Sequence, residues 1–106
     1  MAEEKVLALH YAEPTGDKGQ LRCNLTMVDK VEVENFIRSK KLRVKNLLRG
    51  AIKVIYSEKG RDNLIHKDTG EVFRGPVMFI GYDKEKPVNL RDNQIKAIKA
   101  IYRKAE

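Results

Sequence analysis

The sequence predicts an α+β fold: a single domain over residues 1–106, with a largely antiparallel sheet and two amphipathic helices packed on one face of it. Three observations lead there. Leu21, Cys23, Leu25 and Met27 alternate with Arg22, Asn24 and Thr26, the period of a strand with one wet face. Two other stretches space their apolar residues at helical intervals, and turn-forming residues separate neighbouring strand candidates.

In chain order, Lys5 to Tyr11 and Leu21 to Val28 read as strands. The turn formers Glu13-Pro14-Thr15-Gly16-Asp17-Lys18-Gly19-Gln20 between them predict a hairpin. Asp29 followed by Glu32 has capping-box spacing, so a helix is expected to start there. Val33, Phe36, Ile37, Val44, Leu47 and Leu48 then share one face if that helix runs to Gly50. Lys40 is the break in that face, either within one long helix or in a joint at Ser39-Lys40-Lys41 between two shorter ones.

Ala51 to Ser57, rich in β-branched residues, reads as the next strand. Asn63 to His66 and Glu71 to Arg74 are short strands around the turn Lys67-Asp68-Thr69-Gly70. Val77 to Tyr82 is apolar almost throughout, as in a central strand covered on both faces, and Lys84-Glu85-Lys86-Pro87 ends it. Asn89 with Asp92 predicts the cap of the last helix, whose buried stripe is Ile95, Ile98, Ile101 and Tyr102.

Charge dominates the surface. Lys and Arg number 22 against 15 Asp and Glu, a formal net charge of +7. No stretch reaches the ~18 apolar residues of a membrane span, and the start lacks the layout of a signal peptide. Cys23 is the single cysteine, so no internal disulfide can form, and a cytoplasmic location is expected. With only Cys23, His10 and His66 as soft or imidazole ligands, no structural zinc site and no cofactor are expected.

From Asn35 through Ser57 there are seven basic residues and no acidic one. On a continuous helix Arg38, Lys41, Lys45 and Arg49 fall within an arc of ~80° clear of the apolar stripe. Lys96, Lys99 and Arg103 recur at helical spacing on the last helix. A polyanion is the ligand such a row fits, since each phosphate neutralised releases counterions. The other reading is a solvated face that maintains solubility. Tyr11 and Phe73 are the candidate exposed rings for stacking on bases.

Other chemical signals are weaker. Gly16-Asp17-Lys18-Gly19 matches a Gly-x-x-Gly backbone grip, but its flanks read as strands, which makes it a hairpin turn. Cys23 with His10 could form a nucleophile and base, and His66 with Asp62, Asp68 and Glu71 a metal or acid–base cluster. Core packing and a solvated turn are the simpler readings, and no enzyme is expected.

Residues Asp68 to Gly81, Asn89 to Ile95 and Leu48 to Ile52 resemble a group of small uncharacterised phage and mobile-element proteins. The shared features are a glycine-bounded apolar strand, a short spacer and a Leu-x-x-x-Gln helix start. The resemblance implies a phage or plasmid accessory protein and no particular activity. The sequence therefore leads to a small, basic, non-catalytic binding protein contacting nucleic-acid backbones, DNA or RNA. Its alternative is a protein-binding inhibitor or modulator of a host enzyme or defence complex, with an acidic protein as partner.

Overall fold

Hydrophobic alternation along the central strands decides the architecture. The computed structural model describes residues 4–12 and 23–105, and within them every strand pairing is antiparallel. The strands are β1 (Lys5–Tyr11), β2 (Cys23–Asp29), β3 (Arg43–Leu47), β4 (Ile52–His66), β5 (Val72–Asp83), β6 (Lys86–Val88) and β7 (Tyr102–Lys104). Two helices, α1 (Lys30–Arg38) and α2 (Asp92–Ile101), complete the α+β fold. The sheet runs β2-β1-β5-β4-β3, with β6 added to β5 and β7 to β4. No helix among the described residues is long and apolar enough to cross a membrane. The turn expected at Glu13 to Gln20 lies outside the described residues.

β5 is central, and its apolar run explains where the helices go. Val77 and Phe79 point to one face and Ile80 and Tyr82 to the other, all buried. Each face needs its own cover. Phe36 and Ile37 of α1 join Val33 against Val6, Ala8 and Ile80, whereas Ile95 and Ile98 of α2 pack with Leu9 and Phe79. The helices thus lie on opposite faces and not on the common face expected from the sequence.

The helical reading of Asp29 to Gly50, as one helix or as two joined at Ser39-Lys40-Lys41, is the largest difference. The helix stops at Arg38, with Ser39 extended at φ −68 and ψ 132, and the chain re-enters the sheet as β3. Val44 and Leu47 fit a helical stripe, yet in β3 they pair with Ile55 and Ile52 of β4. A strand there hydrogen-bonds β4's open edge and avoids stacking like charges at helical spacing. Ser39-Lys40-Lys41 is accordingly the joint between a helix and a strand. Leu48-Arg49-Gly50 forms a tight turn in the left-handed region, with φ of 49, 60 and 89.

Caps also differ from expectation. Asp29 does occupy the N-cap of α1, but its side chain makes no capping bond, and its Oδ1 is buried without a partner among the described residues. At α2 the N-cap is Arg91, whose N–H donates to Gln94 Oε1 at 2.9 Å. Asn89, the expected cap, instead accepts a hydrogen bond from the Leu7 N–H at 2.8 Å, fixing the entry to α2 against β1.

β4 absorbs two of the expected strands and bends between them. Ser57 and Asp62 both pair with Arg74, so residues 58–61 are extruded from the ladder. Gly75 sits opposite this extrusion at φ 65, and a Cβ there would lie 2.8 Å from the Lys59 carbonyl oxygen. Only glycine fits without displacing backbone. Asn63, fully buried, bridges the same corner: its Nδ2 donates to the carbonyls of Gly75 (2.7 Å), Ala12 (3.2 Å) and Tyr11 (3.3 Å). The bend brings Phe73 into ring contact with Tyr56 and Tyr102.

Candidate binding surfaces

Because the long helix does not form, its cationic row does not form either. Arg38 ends α1, Lys41 lies in the connection, Lys45 is in β3 and Arg49 is in the left-handed turn at the other end of β3. Lys45 is paired with Glu71 and stands over the Phe73 ring at 6.0 Å. Its charge is therefore answered within the domain. Arg43 and Arg74 are likewise held, by Glu58 at 2.9 Å and Asp62 at 3.0 Å. Lys53 donates to Asn46 at 2.9 Å and lies 5.0 Å from the Tyr82 ring centre.

The remaining candidates are exposed. Arg38, Lys41, Arg49, Lys96, Lys99 and Arg103 have no ion pair among the described residues. They fall into separate groups. Arg38 and Lys41, with Lys40 between them, sit where α1 gives way to β3. Lys96 and Lys99 are on α2, across the sheet, and Arg103 is on β7. Arg38, Lys40 and Lys41 thus stay together in the α1–β3 connection, while Arg49 lies at the far end of β3 and Lys96 and Lys99 on the other helix.

Neither candidate stacking ring is available: Tyr11 and Phe73 are 4% and 1% exposed. Tyr11 packs edge-on against Phe79 at 5.9 Å, and burial with a hydrogen bond to Cys23 pushes its hydroxyl pKa up. Register separates Cys23 from His10. Cys23 pairs with Tyr11 and His10 with Asn24, so adjacent pairs put thiol and imidazole on opposite faces of the hairpin. That arrangement rules out a direct proton transfer between them.

The His66 cluster is occupied structurally. His66 Nδ1 accepts hydrogen bonds from the N–H groups of Asp68 (3.1 Å) and Thr69 (3.2 Å), organising the β4–β5 turn. Asp62 and Glu71 are engaged with Arg74 and Lys45. The described residues contain no group of three His, Cys, Asp or Glu placed to hold a metal ion. The Gly-x-x-Gly at Gly16 to Gly19 lies outside the described residues.

A feature missed in the sequence is an apolar groove on the α1 face. Nine helical residues span about 13.5 Å, while five strands span roughly 19 Å, so α1 covers only part of this face. Beyond its end, Phe36, Leu42, Ile55, Pro76, Met78 and His10 line a depression of about 480 Å³ including its open mouth. Along β5, exposed Arg74 and Pro76 and half-buried Met78 alternate with buried Phe73, Gly75 and Val77. That alternation was the available signal, and the expected long helix concealed its meaning.

A second apolar surface lies on the edge strand β2, where Leu25 and Met27 are 50% and 54% exposed. No family model matches this sequence, and no curated protein and no solved structure is significantly similar to it.

Proposed function

We propose that this chain is a non-catalytic binding protein that contacts nucleic-acid backbones, as an accessory protein of a phage or mobile element acting in the cytoplasm. The supporting observation is that six of the seven cations singled out in the sequence are exposed and have no carboxylate partner among the described residues. Their division between two sides of the sheet limits any one duplex to a few contacts. Arg38, Lys40 and Lys41 form the compact group. With both candidate rings buried, contacts are to phosphates and not to stacked bases.

Titrating a DNA duplex against the protein at increasing salt tests this. Three phosphates neutralised give a log–log slope near −2.7, and Lys40→Ala with Lys41→Ala together flatten it by about 1.8. Absence of binding to DNA and RNA at low salt refutes the proposal. A second reading, a protein-binding modulator, is favoured by the apolar groove, because a phosphate backbone makes no use of such a floor.

A further inference from the structure

We infer that the groove at the end of α1 receives an acidic amphipathic segment of a partner protein, which rests on the second, protein-binding reading. Phe36 and Leu42 on one wall are joined by a stretch of chain that carries Arg38, Lys40 and Lys41, all three exposed. None of these three cations has an ion pair among the described residues. On the opposite wall Pro76 and Met78 share a strand face with Arg74, whose charge is answered by Asp62. The lining itself carries neither Lys or Arg nor Asp or Glu, so the charge next to the groove is that of the Arg38–Lys41 stretch.

An apolar floor beside an unpaired cationic stretch of chain selects for a ligand that is apolar along one side and anionic along a flank. A nucleic acid supplies the charge without the apolar side chains. A leucine- or phenylalanine-bearing segment with Asp or Glu along a flank supplies both, the helix-in-groove mode of recognition. The cations steer encounter and orient the segment, and desolvation of the floor holds it.

The methionines make this testable in the intact protein, because the chain has only Met1, Met27 and Met78. Met78 lies in the groove and Met27 on the exposed edge strand. The full chain, labelled with ¹³C at the methionine methyls, is titrated with a synthetic amphipathic peptide carrying leucines on one face and glutamates on the other. The Met78 methyl is expected to shift saturably while Met27 stays fixed. Lys40→Ala with Lys41→Ala weakens binding about tenfold, and Lys96→Ala with Lys99→Ala leaves it unchanged.

A peptide with serines replacing the leucines is expected not to bind. If it binds as tightly, charge alone is recognised and the inference is wrong. If the peptide shifts Met27 instead of Met78, the protein-binding reading survives and the groove assignment falls. If the peptide moves neither methyl, both are overturned. A DNA duplex in a parallel titration reports on the nucleic-acid reading separately.

Discussion

Replacing Asn63 by leucine tests what holds the bent corner of the sheet. The two side chains are similar in size, so the change removes a donor without opening a large cavity. Asn63 Nδ2 carries two protons and reaches three carbonyls: one proton serves Gly75 at 2.7 Å, and the other is shared between Ala12 at 3.2 Å and Tyr11 at 3.3 Å. The Gly75 and Tyr11 contacts are buried, whereas that to Ala12 is partly open to water. Two stranded buried acceptors at about 1–3 kcal/mol each give an expected loss near 4 kcal/mol. A chain of 106 residues has a total stability of roughly 5–15 kcal/mol, so the variant folds but is much weakened. Urea unfolding followed by far-ultraviolet circular dichroism measures this. Asn24→Leu, at an exposed position of β2, is the control and stays within about 0.5 kcal/mol of the parent. A loss below about 1 kcal/mol at Asn63 would refute the reasoning, because the carbonyls would then be finding other donors.

Three further outcomes follow from local geometry. Lys84 and Glu85 form the β5–β6 turn with φ of 50 and 65, so Lys84→Asn with Glu85→Gly should stabilise by about 1–2 kcal/mol in the same urea assay. Gly75→Ala should destabilise by at least about 2 kcal/mol, because φ is positive there and the new methyl meets the Lys59 carbonyl; an unchanged midpoint contradicts this. The Tyr102 hydroxyl is buried with no hydrogen-bond partner among the described residues, and burial pushes its pKa up to about 12, with Glu71 adding to the shift. Below pH 10 folded and unfolded chains both keep this proton. Between pH 10 and 12 the unfolded chain releases it first, so stability falls across that window. Tyr102→Phe should lessen the decline and be neutral or slightly stabilising at pH 7, checked by melting curves at both pH values.

Strand content was legible where burial is one-sided or complete. Lys5–Tyr11 was bounded from sequence as found, and the apolar run at Val77 to Tyr82 marked the centre of the sheet. The segment after Arg38 was ambiguous because Val44 and Leu47 satisfy a helical stripe and a strand pairing alike. What decides between them is the open edge of β4, a partner no local pattern displays. The candidate cations lie at the surface but not in the expected rows: Lys45 is paired with Glu71, 26 residues away in sequence, and Arg103 falls on β7 and not on the last helix. Misreading one helix concealed the groove, since a helix continuing past Arg38 would have covered Leu42, Ile55 and Met78.

Connectivity also sets when this chain can fold. β2 and β3 are the outer strands of the five-strand path, yet both precede the central pair β4 and β5 in sequence. An emerging nascent chain thus exposes both margins of its scaffold before the middle exists. The pairings of β1 and β4 with β5 cannot be completed until synthesis reaches Asp83, and until then the inner edges of both strands stay open.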